Sequence, residues 1–161
     1  MLGTIALSLD SMFAGAALGF FGLSKRHWGL AWRTVGLTDV LALLIGRGMS
    51  GVIRMAMTSF QQVTLFAACA LVAIFLGRLC SDRPRVVILG MALLFSIDNL
   101  LAGSQFASLS SSALVAVTTG ILSCVACVSG LHAAAAIAVH VRSRFSFALA
   151  SAAVVTAFLV F

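Results

Sequence analysis

Six apolar runs, each near the length that crosses a lipid bilayer, occupy almost the whole chain and limit its fold more than any other feature. A transmembrane helix needs about 20 apolar residues, and soluble domains do not carry such runs in series. Hydrophobic residues make up 62% of the sequence and charged residues only 9%, which indicates an all-α integral membrane protein. We predict helices at residues 3–23, 34–53, 58–77, 86–107, 113–139 and 145–161.

The basic residues indicate how these helices lie across the membrane. They gather in the loops after helices one, three and five, while the turn after helix four, residues 108–112, is uncharged. Cytoplasmic loops are enriched in Lys and Arg, so we expect both termini to lie outside the cytoplasm. The net charge of +6 therefore needs no nucleic acid as a partner, the expected surroundings are membrane lipid, and a homodimer is left open.

Two octapeptides, 88 positions apart, share Ser, Asp, Ala and Gly at the same offsets. They read Ser8-Leu9-Asp10-Ser11-Met12-Phe13-Ala14-Gly15 and Ser96-Ile97-Asp98-Asn99-Leu100-Leu101-Ala102-Gly103. Each half of the chain has three helices, an odd number, so the second half runs through the membrane in the opposite sense. The sequence thus predicts one transmembrane domain over residues 1–161, built as inverted repeats at 1–77 and 86–161, which is the plan of many secondary transporters.

Each octapeptide places one carboxylate inside a membrane helix, where an ionisable side chain is costly and marks a functional site. Helical rise puts Asp10 and Asp98 roughly 10 Å and 14 Å below the outer ends of their helices, so the two can meet at one level. Two close carboxylates repel, and a divalent cation or a proton relieves the repulsion. The competing interpretation is that both are buried, protonated packing residues. The neutral oxygens expected nearby, which suit Mg²⁺, Mn²⁺ or Ca²⁺, belong to Ser8, Ser11, Ser96, Asn99 and Gln105.

Glycines occupy two further kinds of position. Gly15 and Gly103 follow the aspartates by about one turn, and we expect them to let helices one and four approach closely, because small residues allow backbones to pack together. Gly46, Gly48 and Gly51 gather near the end of helix two, which we expect to be broken or bent there.

Helix two carries two further charged residues. Asp39 lies roughly 7–8 Å from its cytoplasmic end, either as a cytoplasmic entry ligand for the cation or as an interfacial residue paired with Arg33 or with the amides of the helix start. Arg47 lies roughly 20 Å from that end, near the level of the two octapeptide aspartates. It either neutralises one of them or ends the helix early and extends outward to water.

Cys124 and Cys127 put two thiols on one face of helix five. They are interpreted either as small packing residues or as a pair for soft-metal or thiol redox chemistry, and His132 can join that face or pack among the neighbouring alanines. The four cysteines of the chain are too scattered for a disulfide framework. Because no nucleotide-binding loop or hydrolase motif is present, we expect neither an enzyme nor a resident cofactor.

With Ser-Leu-Asp-Ser-x-x-Ala-Gly early in the chain and Ser-Ile-Asp-Asn-x-x-Ala-Gly at the start of its second half, the sequence resembles the manganese efflux pump family of bacteria (MntP type), within the LysE-type exporter superfamily. The specific match is confined to the two octapeptides. The resemblance implies six helices in two three-helix repeats in the bacterial inner membrane. It also implies export of Mn²⁺, with Asp10 and Asp98 as the central acids.

The leading hypothesis is therefore a secondary transporter that exports a divalent cation, most directly Mn²⁺, as its substrate. A second hypothesis is an exporter of small organic solutes such as amino acids, in which Arg47 binds a substrate carboxylate and an Asp binds an amine. A third is a membrane thiol oxidoreductase centred on Cys124 and Cys127. A fourth is a membrane subunit that transports nothing.

Overall fold

The computed structural model describes the chain as a bundle of α-helices. It describes residues 2–56, 59–79, 82–105, 112–140 and 143–159, with side chains at 9–53, 61–78, 82–104, 113–140 and 148–156. The helices are α1 (Leu2–Phe20), α2 (Trp28–Gly48), α3 (Ser50–Ala56), α4 (Ser59–Leu79), α5 (Pro84–Gln105), α6 (Ser112–Ala138) and α7 (Ser143–Leu159), and a 3₁₀ turn at Lys25–His27 precedes α2. These described ranges contain no strand, so the predicted all-α class is confirmed.

The second helix begins earlier than the predicted residue 34 and stops before the predicted residue 53, where the glycines gather. It starts at Trp28 instead of residue 34, because the basic and aromatic stretch assigned to a loop is helical, with the Trp28 indole donating to the Leu23 carbonyl at 3.1 Å. The helix stops at Gly48, Met49 leaves helical geometry with a ψ of 12°, and α3 begins one residue later. The predicted interruption near the glycines is therefore confirmed.

The outside of the bundle is apolar, as a protein surrounded by lipid requires. Large apolar side chains face outward, with Leu71 and Leu114 each 69% exposed. Four helices within the described ranges are long and apolar enough to cross a membrane, at Lys25–Gly48, Gln61–Arg78, Pro84–Ser104 and Ala113–Ala138. Several long apolar helices with this outward surface are consistent with a multi-pass membrane protein.

Helices of one half of the chain pack mainly against helices of the other half. Helix α1 lies against α6 and α7, α2 lies against α5 and α6, and α4 lies against α5 and α7. The consecutive helices α1 and α2 touch little. A buried apolar cluster that includes Leu18, Phe95 and Leu131 joins both halves. The two halves therefore share one core, and the polar residues of α1, α2, α5 and α6 can meet inside it.

The first two basic loops lie at the same end of the bundle. A pocket of about 230 Å³ is lined by Arg26 and His27 from the first loop and by Asp82 and Pro84 from the second. This arrangement agrees with the expectation that both loops face one side of the membrane. Residues 108–111 of the uncharged turn, and the side chains of the arginines in the third basic loop, lie outside the described residues.

Candidate functional site

Three of the four acidic residues of the chain meet inside the bundle. Asp10 comes from α1, Asp39 from α2 and Asp98 from α5, with exposed fractions of 2%, 1% and 6%. The carboxyl groups of Asp10 and Asp98 lie within hydrogen-bonding reach of each other, and Asp39 is close enough to act electrostatically on both. The structure therefore brings the two octapeptide aspartates together and adds a third, and we call this set the carboxyl cluster.

The two octapeptides hold their aspartates in the same way. Oδ1 of Asp10 accepts a 2.6 Å hydrogen bond from the backbone N–H of Ser11, and Oδ1 of Asp98 accepts one of 2.7 Å from that of Asn99. In both aspartates the other oxygen, Oδ2, is buried and has no hydrogen-bond partner in the part of the chain that the structure describes. Buried polar atoms are normally partnered. Each half of the chain therefore presents one carboxylate oxygen that is free to accept a proton or an ion.

Asp39 lies deeper than the sequence predicted. Because α2 begins at Trp28, Asp39 is roughly 16 Å into the helix, and its Oδ2 accepts a 2.9 Å hydrogen bond from Ser11 Oγ. The same hydroxyl lies 3.2 Å from Oδ1 of Asp10, so the hydroxyl of Ser11 is placed to donate to carboxylates of both α1 and α2. Arg33 is exposed and is not among the groups that act on Asp39. The predicted depth and the interfacial interpretation were wrong because they assumed a helix that begins six residues later, whereas the role of Asp39 as an entry ligand stays a prediction.

No cationic side chain within the described ranges stands against the carboxyl cluster. Arg47, expected near the same level, lies in the last turn of α2, about 12 Å along the helix from Asp39. Since α2 ends at Gly48, the helix stops early beside Arg47, as the second of its two predicted roles requires. Three carboxylates without a counter-charge in a water-poor interior repel one another strongly. The cluster is therefore stable only when it binds protons or a cation.

Neutral polar groups with unused hydrogen-bonding capacity surround the carboxylates. Asn99 of α5 and Ser123 of α6 are both fully buried and lie beside the carboxylate of Asp39. Within the described ranges, the side-chain amide of Asn99 and the hydroxyl of Ser123 nevertheless have no partner at hydrogen-bonding distance and angle. Thr119, one turn before Ser123, is also fully buried and unpartnered, but it is not among the groups that act on the three aspartates. Helices α5 and α6 thus add oxygens to the site that the rest of the protein does not satisfy.

Ser123 was not among the residues predicted from the sequence. The signal that finds it is a second repeated pattern, in the helices that follow the octapeptides. Residues 36–46 and 120–130 both read Gly-x-x-[Asp/Ser]-x-x-Ala-x-x-x-Gly, with Asp39 and Ser123 at the variable position. A search for repeated carboxylates alone misses the pattern, because only one of the two copies is acidic.

Ser96, two positions before Asp98, contributes less than predicted. Ser96 donates its hydroxyl to the Leu93 carbonyl at 3.0 Å within its own helix, and it is not among the groups that act on Asp98. Two residues turn a helix by roughly 200°, so a serine at this spacing faces away from the aspartate. The structure therefore does not bring Ser96 to the cluster. The side chains of Ser8 and Gln105 lie outside the described residues.

Gly15 and Gly103 permit close packing, but between different helices from those expected. A Cβ at Gly15 would overlap the carbonyl of Cys127 in α6, and a Cβ at Gly103 would overlap that of Leu43 in α2. The prediction that these glycines bring predicted helices one and four, now α1 and α5, together was therefore wrong. Five residues separate each glycine from its aspartate and turn the helix by roughly 140°. A helix that turns its aspartate to the cluster thus turns its glycine to another neighbour.

Cys124 and Cys127 lie at helix contacts. The Cys124 thiol packs against Gly36 and lies 3.4 Å from the Trp32 carbonyl, while Cys127 is fully buried with its backbone against Gly15. Both thiols are free. These contacts favour the packing interpretation of the pair over the redox interpretation.

His132 lies apart from the carboxyl cluster. Its side chain is exposed, and its ring meets the ring of Trp28 edge-on with 5.0 Å between the ring centroids. Its Nδ1 lies 2.8 Å from the carbonyl of Val128 in the preceding turn. These contacts place His132 on the surface near the start of α2, where it cannot act as a ligand beside the aspartates.

Among the described residues, the side chains that act on the three carboxylates by hydrogen bonding offer oxygens and the amide nitrogen of Asn99, while the Cys124 and Cys127 thiols are only electrostatic neighbours of Asp39. Oxygen sets of carboxylates, amides and hydroxyls are the ligands of hard divalent cations, which also retain water molecules in their coordination spheres. Across the described ranges, no three His, Cys, Asp or Glu side chains take up a metal-holding arrangement by themselves. A cation bound here would therefore draw on neutral oxygens or water in addition to the carboxylates.

Comparison of the chain with protein-family models, with curated proteins and with solved structures finds no match. The chemistry of the carboxyl cluster is therefore the basis on which a function is assigned.

Proposed function

We propose that the chain is a secondary transporter that exports a divalent cation, with Mn²⁺ as the leading candidate, through the carboxyl cluster. One observation carries the proposal: Asp10, Asp39 and Asp98 are buried together, with no cationic side chain of the described residues against them, inside a bundle whose outside is apolar. Ionisable residues in such surroundings are expensive, and they mark pathways for ions and protons. A divalent cation supplies the positive charge that the cluster lacks.

The ligand chemistry favours a hard cation over a soft one. Thiolate and imidazole ligands select copper and zinc, whereas carboxylate and neutral oxygen ligands suit Mg²⁺, Ca²⁺ and Mn²⁺. Cys124 and Cys127 pack at helix contacts, and His132 is exposed, so neither a thiolate nor an imidazole supports soft-metal binding at the cluster. The resemblance of the octapeptides to the manganese exporters is the reason for preferring Mn²⁺ among the hard cations.

The position of Arg47 supports a metal ion over an amino acid as the substrate. An amino acid exporter needs a cationic side chain for the substrate carboxylate close to an acid for the substrate amine. Arg47 lies about 12 Å along α2 from Asp39, and no carboxylate of the cluster has it as a neighbour. The cluster is therefore suited to a compact cation that carries no acid group of its own.

The proposal includes six membrane spans in two inverted three-helix repeats, in the bacterial inner membrane with both termini outside the cytoplasm. The packing of the helices supports it. If α1, α2 and α4 correspond to α5, α6 and α7, the contact of α1 with α6 has its counterpart in that of α5 with α2. The contact of α1 with α7 likewise has its counterpart in that of α5 with α4. A duplicated chain with opposed halves produces this exchange of partners.

The direct test is metal accumulation in cells. Cells that produce the protein are expected to hold less Mn²⁺ than matched cells without it during growth in Mn²⁺-rich medium, as measured by elemental mass spectrometry. Parallel cultures in Mg²⁺, Ca²⁺, Zn²⁺ and Co²⁺ establish which ions are exported. Unchanged contents of every divalent ion would contradict the proposal.

The cysteine pair provides a second test, because it separates transport from thiol chemistry. We expect the double variant Cys124→Ala/Cys127→Ala to retain most of the export activity, since both thiols pack at helix contacts and are not bonded to each other. The measurement is Mn²⁺ accumulation at matched amounts of protein in the membrane. Complete loss of export in a correctly inserted double variant would favour the oxidoreductase hypothesis.

A further inference from the structure

The repeated pattern at residues 36–46 of α2 and 120–130 of α6 pairs the residues of these two helices one by one. Each residue of the first copy lies 84 positions before its counterpart, as Gly36 does before Gly120 and Gly46 does before Gly130. By the same count, Asp39 corresponds to Ser123. Sequence spacing alone makes them equivalent along the chain, and the helix contacts decide whether they are equivalent in space.

The contacts between helices match two sequence spacings. Residues of α1 and α5 correspond at a spacing of 88 positions, and residues of α2 and α6 correspond at a spacing of 84 positions. A Cβ at Gly15 would meet Cys127, and one at Gly103 would meet Leu43. Gly103 is the counterpart of Gly15, and Cys127 is the counterpart of Leu43, so the two contacts are equivalent. Two further pairs of contacts obey the same rule, namely Gly130 on Met12 with Gly46 on Leu100, and Gly36 on Cys124 with Gly120 on Val40. Since the contacts correspond residue by residue, Ser123 stands in the second half where Asp39 stands in the first.

The surroundings of the two positions correspond as well. Asp39 accepts a hydrogen bond from Ser11, and the counterpart of Ser11 is Asn99, 88 positions later. Asn99 and Ser123 are both fully buried, both lie beside Asp39, and neither side chain has a hydrogen-bond partner. The site therefore has four corners that correspond in pairs, Asp10 with Asp98 and Asp39 with Ser123. Three of them carry a carboxylate and the fourth carries a hydroxyl.

We propose that Ser123 is the fourth corner of the ion site and that its Oγ is a neutral ligand of the transported divalent cation. A carboxylate at position 123 can then replace the carboxylate at position 39. This inference rests on the proposed function. The unpartnered hydroxyl of Ser123 supplies the oxygen. The correspondence of the helix contacts makes position 123 the counterpart of position 39. In the exchanged arrangement, the amide of Asn99 stands ready as the hydrogen-bond donor that Ser11 is to Asp39.

The first test is Mn²⁺ binding to the purified full-length protein, measured by calorimetry and by the electron paramagnetic resonance signal of Mn²⁺. Ser123→Ala removes one oxygen with little change of shape, and we expect the affinity for Mn²⁺ to fall about 10-fold, as for the loss of one contact to a charged group. Thr119→Val is the matched control, because it removes an equally buried and unpartnered hydroxyl one turn away. We expect Thr119→Val to bind Mn²⁺ like the wild type.

The second test exchanges the charge between the two corners. We expect Asp39→Ser to lose most Mn²⁺ affinity and the double variant Asp39→Ser/Ser123→Asp to regain most of it, with thermal unfolding used to confirm that both variants fold. A double variant that binds no better than Asp39→Ser, together with wild-type affinity in Ser123→Ala, would overturn this inference and leave the proposed function intact. A wild-type protein that binds none of Mn²⁺, Mg²⁺ and Ca²⁺ would overturn both.

Discussion

The Asp10→Asn and Asp98→Asn variants are expected to lose Mn²⁺ export almost completely, with the affinity for Mn²⁺ reduced by about 100-fold or more. Asn keeps the size of the side chain and removes its negative charge. Each aspartate presents a buried Oδ2 without a hydrogen-bond partner among the described residues, and the variant removes the charge with which that oxygen attracts a cation. Mn²⁺ accumulation in cells and Mn²⁺ binding to the purified protein measure the two effects separately.

The matched control for these variants is Asp82→Asn. Asp82 is the one other acidic residue of the chain, and it lies exposed in the loop before α5, at the edge of the pocket formed by the basic loops. We expect this variant to export Mn²⁺ normally. Wild-type export by either cluster variant, at equal amounts of protein in the membrane, would remove the carboxyl cluster from the mechanism.

The Gly103→Val variant is expected to be strongly destabilised, by at least about 1–3 kcal/mol, which is the usual cost of overpacking a core. The added Cβ would overlap the backbone carbonyl of Leu43, and a backbone cannot move aside as a flexible side chain can. The measurement is the thermal unfolding midpoint of the purified protein in detergent. Gly29→Val is the control, since Gly29 is an exposed helical glycine with nothing within 4 Å of an added Cβ.

A Gly103→Val protein that unfolds at the same temperature as the control would show that α2 and α5 are not in the backbone contact described above. A large drop in both variants would instead indicate a general intolerance of valine in α2 and α5. The contact between the two helices is supported only when the two variants differ.

The meeting of Asp10 with Asp98 could be predicted from the sequence because both carry the same octapeptide at the same depth in an apolar run. Repetition and hydrophobicity are both visible without a structure, and together they fix the kind of helix and the level of each carboxylate. The interruption after Gly48 could be predicted for a similar reason, since a cluster of glycines in a membrane helix is a local signal.

The position of Asp39 could not be predicted in the same way. Its depth depends on where α2 begins, and the stretch before residue 34 is basic and aromatic, a composition typical of a loop as well as of an interfacial helix. Trp28 closes the start of the helix through a hydrogen bond to Leu23, a contact that hydropathy does not reveal. Asp39 was therefore placed at the membrane edge, although the structure buries it in the cluster.

Neighbours across the bundle were the other difficulty. Gly15 and Gly103 were correctly recognised as sites of close packing, but a glycine does not specify which helix will approach it. The partner depends on the angle around the helix between the glycine and the aspartate, and so on the arrangement of the whole bundle. Ser123 was missed for a chemical reason, because its hydroxyl does not resemble the carboxylate of its counterpart.

The glycine contacts also divide the bundle in a way that the order of the chain does not suggest. They tie α1 to α6 and α2 to α5, while α7 joins the first pair and α4 lies against both α5 and α7. The carboxyl cluster lies between the two helix pairs, which cross where Gly36 and Gly120 bring the backbones of α2 and α6 together. A carrier that rocks about this crossing would open the cluster to one side and then to the other. Each rocking pair would hold one helix from each half of the chain, so the moving pieces would not coincide with the two halves.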